Sequence, residues 1–201
     1  MLTAADRKFV QEHLNADLHR LLLSARRYQG VDVPACVAQI EALQKIRTKL
    51  PTWYRFDLEL PPLLSVEQAS SESTARFKSG LFFGKNMADL TGGMGADTCF
   101  FSRQFEQVFY VERNPGLAAL ARHNFATMGM ANIQVAETTA EAFLENTAAH
   151  FDLLYLDPAR RADRHRRVIQ LADCEPNVLA LREMLLDRTD RVLLKTAPLL
   201  D

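Results

Sequence analysis

The 201-residue chain predicts an α/β fold, a doubly wound parallel sheet in the strand order 3-2-1-4-5 behind a small all-helical N-terminal part. Three observations predict it. A short apolar strand at residues 86–90 runs through Asp89 into a glycine-rich turn, Thr91-Gly92-Gly93-Met94-Gly95. A second apolar run, Val108-Phe109-Tyr110-Val111, ends on an acid, Glu112. A third, at 151–156, runs straight into Asp157-Pro158-Ala159-Arg160.

Composition bounds the function. A hydrophobic content of 48% with 24% charged residues is that of a soluble globular protein. A net charge of −1 excludes a uniformly basic nucleic-acid binder but leaves room for a local basic patch. Cys36, Cys99 and Cys174 are odd in number, widely separated and without zinc spacing, which predicts reduced thiols, a cytoplasmic protein and no metal. The N-terminus is amphipathic and contains acids, unlike a signal peptide. No apolar run approaches the ~20 residues that span a bilayer. Nothing in the sequence sets the oligomeric state.

Residues 1–60 read as a helical domain and 61–201 as the α/β domain. Thr3 and Asp6 form a capping box for a first helix. Phe9, Val10, Leu14, Leu18, Leu21 and Leu22 recur at helical spacing up to a stop at Gly30. Pro34 opens a second helix with the stripe Val37, Ile40, Leu43 and Ile46, and Pro51 stops it. Pro51, Pro61 and Pro62 mark a connecting segment pinned by Trp53, Tyr54 and Phe56. A helix over 68–77 is entered through Ser70 and Ser71 and carries Thr74, with Lys78 just beyond it. After the glycine turn come a helix at 96–105, the strand at 108–111, and a helix opened by Asn114-Pro115. A short strand follows at Ile133 and Val135, with His123 in the preceding helix read as structural. The fourth strand is 151–156, followed by a helix at 178–186 and a fifth strand at 191–195.

Glycines at a strand-to-helix turn allow positive φ and close ligand approach, and the helix N-terminus beyond presents unpaired N–H groups. Their G-G-x-G spacing is not the dinucleotide fingerprint G-x-G-x-x-G. Glu112, one strand-helix-strand unit after Asp89, is placed to accept from ribose hydroxyls. Strands one and four flank the switch in strand order, so Asp157 is expected to face the glycine loop across the crevice. Arg160, Arg161, Arg164, Arg166 and Arg167 crowd the same mouth, a pattern suited to a phosphate-bearing substrate.

The D-x-x-G-G-x-G run resembles the first motif of class I S-adenosylmethionine (SAM) methyltransferases. The resemblance implies a ligand-covering helix before the first strand, which makes Thr74 and Lys78 candidates for a lid. It also implies a C-terminal antiparallel hairpin, missing here, so the α/β domain reads as incomplete. Asp157-Pro158-Ala159-Arg160 resembles the [Asp/Asn/Ser]-Pro-Pro-[aromatic] motif of methyltransferases acting on exocyclic purine amines, with Ala159 and Arg160 as departures. The resemblance implies that the acid and a backbone carbonyl accept both N–H bonds of such an amine, localise its lone pair and aim it. A guanidinium plane can stack on a base where the motif has a ring. Lys49-Leu50-Pro51-x-Trp53, Leu64-Ser65-x-Glu67-Gln68-x-Ser70-Ser71-Glu72-x-Thr74-Ala75 and Tyr155-Leu156-Asp157-Pro158-Ala159-Arg160-Arg161 are similar to a bacterial class I family. It is seen in Bacteroidetes and carries a C-terminal THUMP-like region. Glu112-Arg113-Asn114-Pro115 with Tyr155-Leu156-Asp157-Pro158 also resembles ribosomal RNA guanine-N2 methyltransferases.

These resemblances imply a SAM-dependent methyltransferase acting on an exocyclic amine of a purine in RNA, rRNA or tRNA. SAM would lie on Asp89, Thr91, Gly92, Gly93, Gly95, Glu112, Arg113 and Thr139. Thr139 stands near the position where relatives place an acid on the adenine amine. Asp157, Pro158 and Arg160 would act on the acceptor, and Arg160, Arg161, Arg164 and Arg167 would bind RNA. Two other readings stay open: a non-catalytic SAM- or RNA-binding module, and a methyltransferase for a protein or small molecule.

Overall fold

The structure, a computed structural model, describes residues 1–160 and 171–196. Helix α1 (Ala4–Glu12) starts at the expected capping box: Thr3 Oγ1 accepts the Asp6 N–H at 3.2 Å, and Asp6 Oδ2 accepts the Thr3 N–H at 2.9 Å. The helical periodicity up to Gly30 does not make one helix. Asp17 accepts the Arg20 N–H at 3.2 Å and starts a separate α2 (Leu18–Leu23), followed by a 3₁₀ turn. A short acid inside a helical pattern offers the backbone an alternative partner and breaks it. Gly30 lies beyond, at φ +77°. In α3 (Val33–Lys49), Asp32 caps, Pro34 occupies the first turn, and Val37, Ile40, Leu43 and Ile46 are all buried.

Residues 58–60 join the helical part to the rest through two side-chain amides. Gln39 of α3 donates to Leu58 O at 3.0 Å and accepts the Leu60 N–H at 3.0 Å. From the other side, Asn124 accepts the Glu59 N–H at 2.9 Å and donates to Glu59 O at 2.7 Å. These bonds satisfy a buried backbone that no ladder reaches. Trp53 is fully buried and meets Phe125 edge-on. Two short helices follow, α4 (Leu63–Gln68) and α5 (Glu72–Ser79), where one was expected over 68–77. Ser71 Oγ accepts the Thr74 N–H at 3.3 Å, so the cap falls after Gln68 and the two helices cannot merge.

The main sheet is fully parallel. Its strands are β1 (Gly84–Asp89), β2 (Phe105–Val111), β3 (Ile133–Ala136), β4 (Leu153–Leu156) and β7 (Val192–Leu194), in the order β3-β2-β1-β4-β7. This is the expected 3-2-1-4-5. The two strands omitted, β5 (Ala159–Arg160) and β6 (Cys174–Glu175), form a separate antiparallel ribbon. Helix α6 (Ala96–Phe101) is shorter than predicted, because Phe105 already belongs to β2. The remaining crossovers are α7 (Pro115–Thr127), α8 (Ala140–Asn146) and α9 (Val178–Arg188).

All four residues of β4 are buried, as expected where helices cover both faces. Leu153 and Tyr155 pack with Met87, Phe101 and Phe105 on one face. Leu154 and Leu156 pack with α8 and α9 on the other. A further core runs unbroken from α1 and α3 through Trp53 to Met94, Phe100, Tyr110 and Phe125. The N-terminal helices therefore share apolar contacts with the helices around the glycine turn. Among the described residues, no helix is long and apolar enough to cross a membrane, and no cluster of His, Cys, Asp or Glu could hold a metal ion.

Candidate functional site

A cavity of about 330 Å³ opens at the carboxyl ends of β1, β2 and β4. Asp89 pairs in register with Tyr110 and with Tyr155, so the three strands finish level. Asp89, Thr91, Gly92, Gly93, Gly95, Glu112, Arg113, Thr139 and Asp157 all line this cavity. Ser65, Gln68, Ala69 and Ser70, from α4 and its link to α5, close its side.

The three glycines answer to three constraints. A Cβ on Gly92 would stand 2.3 Å from the Tyr110 ring, and one on Gly95 (φ +85°) would stand 2.7 Å from Phe125 Cζ. Both are set by packing. Gly93 has φ +55°, and a Cβ there would meet nothing closer than Thr91 O at 3.7 Å. It is therefore the glycine that leaves bare backbone beside the cavity. Its N–H donates to Glu112 Oε2 at 2.8 Å, and Tyr110 donates its hydroxyl to Gly93 O at 2.6 Å. Glu112 Oε1 accepts the Asn114 N–H at 2.8 Å, so the carboxylate orients the loop and the start of α7 together.

Asp89 braces the turn from below. Its Oδ2 accepts the Thr98 hydroxyl at 2.6 Å, and its Oδ1 accepts the Thr91 N–H at 3.1 Å. Burial pushes its pKa up to about 7, against the pull of these hydrogen bonds. Thr91 Oγ1 accepts the Asp157 N–H at 2.7 Å, which ties the end of β4 to the glycine turn. Asp157 thus lies on the same cleft as Gly93, as the strand order required. Its carboxylate is half-buried and pairs with Lys195 at the end of β7. Desolvation raises its pKa, and the Lys195 ammonium opposes that rise.

Pro158 is buried, and Ala159 and Arg160 pair through their backbone with Glu175 and Cys174. Arg161, Arg164, Arg166 and Arg167 lie outside the described residues. Thr139 lines the cavity while capping α8, accepting the Ala142 N–H at 3.2 Å. Arg113 pairs with Glu175 across the mouth.

Sequence reasoning missed a buried polar cluster at one wall. Asp97 Oδ2 receives Lys78 Nζ at 2.7 Å, Ser70 Oγ at 2.8 Å and the Tyr155 hydroxyl at 2.8 Å. Asp97 Oδ1 is buried with no hydrogen-bond partner among the described residues, in a residue that lines the cavity. Lys78 is not the lid residue the sequence suggested. It is buried among Ser70, Tyr155 and Asp97, and desolvation lowers its pKa while Asp97 opposes the shift. Thr74 is exposed and does not line the cavity. Lys195 was also missed, although adjacency of the fourth and fifth strands could have placed it beside Asp157.

The family model described as "Conserved hypothetical protein 95" matches residues 77–186, the span from α5 to α9 that holds nearly all of this cleft. The chain belongs to this family. Among solved structures, this member of the conserved hypothetical protein 95 family is similar to a candidate methyltransferase from Porphyromonas gingivalis W83. The two are 31% identical with a TM-score of 0.81, over 100% of this chain and 51% of that one. The chain therefore spans about half the length of that relative. Precorrin 8w decarboxylase of Methanobacterium thermoautotrophicum is 14% identical with a TM-score of 0.52, over 70% of this chain and 67% of that one, a likeness of fold alone. SMU.1697c, a candidate methyltransferase from Streptococcus mutans in complex with SAH, is 16% identical with a TM-score of 0.46, over 59% of this chain and 65% of that one. No curated protein matches the sequence. The family member has the mixed α/β, five-stranded parallel sheet of Rossmann-like methyltransferases.

Proposed function

We propose that the chain is a SAM-dependent methyltransferase acting on an exocyclic amine of a purine in RNA. The observation that carries the reading is the Thr91–Asp157 tie, which gathers the glycine turn and the acid after β4 on one cleft. The 31% identity over the whole chain to a candidate methyltransferase supports the reaction class.

The residues fit SAM. Asp97 Oδ1, without a partner among the described residues, and the neighbouring Asp89 suit its ammonium, and Gly92, Gly93 and Gly95 suit its methionine end. Each Glu112 oxygen accepts one backbone N–H and keeps a lone pair for a ribose hydroxyl. Thr91 sits below, and Arg113 and Thr139 flank the adenine end. Bound SAM supplies an electrophilic methyl group. Asp157 and the Pro158 carbonyl accept the two N–H bonds of the acceptor amine and aim its lone pair. Arg160, Arg161, Arg164 and Arg167 hold the base and its phosphates.

We assign residues 1–60 to a helical domain and 61–201 to the methyltransferase domain of a cytoplasmic protein. In the longer bacterial relatives, a C-terminal THUMP-like region would add RNA-binding surface. Calorimetry with SAM and label transfer to total RNA from a strain lacking the protein test the proposal. SAM binding with label in RNA is expected. Failure of the full-length protein to bind SAM overturns it, and label that persists after RNase treatment in protein or small metabolites redirects it.

A further inference from the structure

Lys195 is the first residue beyond β7, and its N–H donates to Leu156 O at 2.9 Å. Register pairs Leu156 with Leu194, so residues 157 and 195 stand side by side just past the sheet. Leu194 and Leu156 pack on the same face, which turns the next side chain of each strand the other way, towards the cleft. Lys195 Nζ pairs there with Asp157 Oδ2. The pair is about one-third exposed on both sides, and an ion pair that exposed contributes little to stability. Its position beside the proposed acceptor site calls for another role.

We propose that Lys195 is the positioning residue of Asp157: it holds the carboxylate by Oδ2, keeps it ionised and assigns Oδ1 to the acceptor amine. The inference rests on the methyltransferase reading for the identity of the acceptor, but not for the pairing itself. An amine conjugated to a purine has little lone-pair density to offer, and an ionised carboxylate accepts its N–H bonds more strongly than a protonated one does. Desolvation works against the ionised form. Lys195 from β7 and Lys78 from α5 oppose desolvation, while Asp97 from α6 reinforces it. Tyr155 of β4 also faces this group, and Lys49 of α3 lies near enough to Lys195 to feel its charge. Lys78 is already committed to Asp97, so among the described residues Lys195 is the cation in contact with Asp157.

The test uses the full chain with its aspartates labelled in the side-chain carboxyl carbon, the Asp157 resonance being assigned with Asp157→Asn. The Asp157 titration is followed in wild type, Lys195→Met and Lys195→Arg. Lys195→Met should raise its midpoint by about one pH unit or more, and Lys195→Arg should restore it. A midpoint unmoved by Lys195→Met overturns the assignment. With labelled SAM and total RNA, the acid limb of the rate profile should move to higher pH in Lys195→Met while the KM for SAM stays unchanged. An unmoved acid limb also overturns it. If wild type transfers no methyl group, the methyltransferase reading fails, and the titration still decides whether Lys195 controls Asp157.

Discussion

The Asp157 N–H donates to Thr91 Oγ1 at 2.7 Å, so a hydroxyl from the glycine turn fixes the backbone at the end of β4. Asp157 sits off the loop and holds no part of it through its side chain. Asp157→Ala should therefore abolish methyl transfer while SAM affinity, read by calorimetry, stays within about tenfold, or about 1.4 kcal/mol. A proportionate loss of both would place Asp157 in the SAM site instead.

Gly92 and Gly93 should separate by substitution. Alanine at 92 drives a methyl group into the Tyr110 ring, which overpacks the core and should cost about 1–3 kcal/mol in urea unfolding. Alanine at 93 meets open space but must hold φ +55°, at about 1–2 kcal/mol. Of the two, only Gly93→Ala adds a group directly beside the cavity. Per unit of stability lost, it should weaken SAM binding more.

Asp89 predicts a pH dependence of stability. Its pKa rises to about 7 in the fold, while the unfolded chain releases the same proton near the ordinary carboxylate value. Between these values the native state holds a proton that the unfolded state has lost, so stability falls as pH rises through that window. The full effect, about 4 kcal/mol, is present above pH 7 and absent below about pH 4. Asp89→Asn keeps an acceptor for the Thr91 N–H and carries no charge. Thermal unfolding from pH 4 to 7 should show a flatter profile in this variant than in wild type.

Lys78 and Asp97 form a buried pair, with side chains 8% and 10% exposed. Lys78→Met leaves the Asp97 charge facing only hydroxyls and should destabilise by about 3–5 kcal/mol. The double variant Lys78→Met/Asp97→Asn should recover part of that loss in urea unfolding. Stability unchanged in the single variant would show that the Lys78–Asp97 pair adds nothing to the fold.

Local sequence rules determined the parallel sheet, its strand order and the gathering of Asp89, Gly93, Glu112 and Asp157 at one end. Strand periodicity, a glycine turn and acids at strand ends act over a few residues, and right-handed crossovers leave few ways to assemble them. The same rules missed the break at Asp17 and the split at Ser71, where a short polar side chain competes with the helix. Only the tertiary structure decided that Gly92 answers to Tyr110 and Gly95 to Phe125, leaving Gly93 bare beside the cavity. It alone turned Lys78 inward to Asp97 and set Lys195 against Asp157. Those contacts join residues distant along the chain, and their energies depend on how much water the packed fold removes from each charge, which no local pattern encodes.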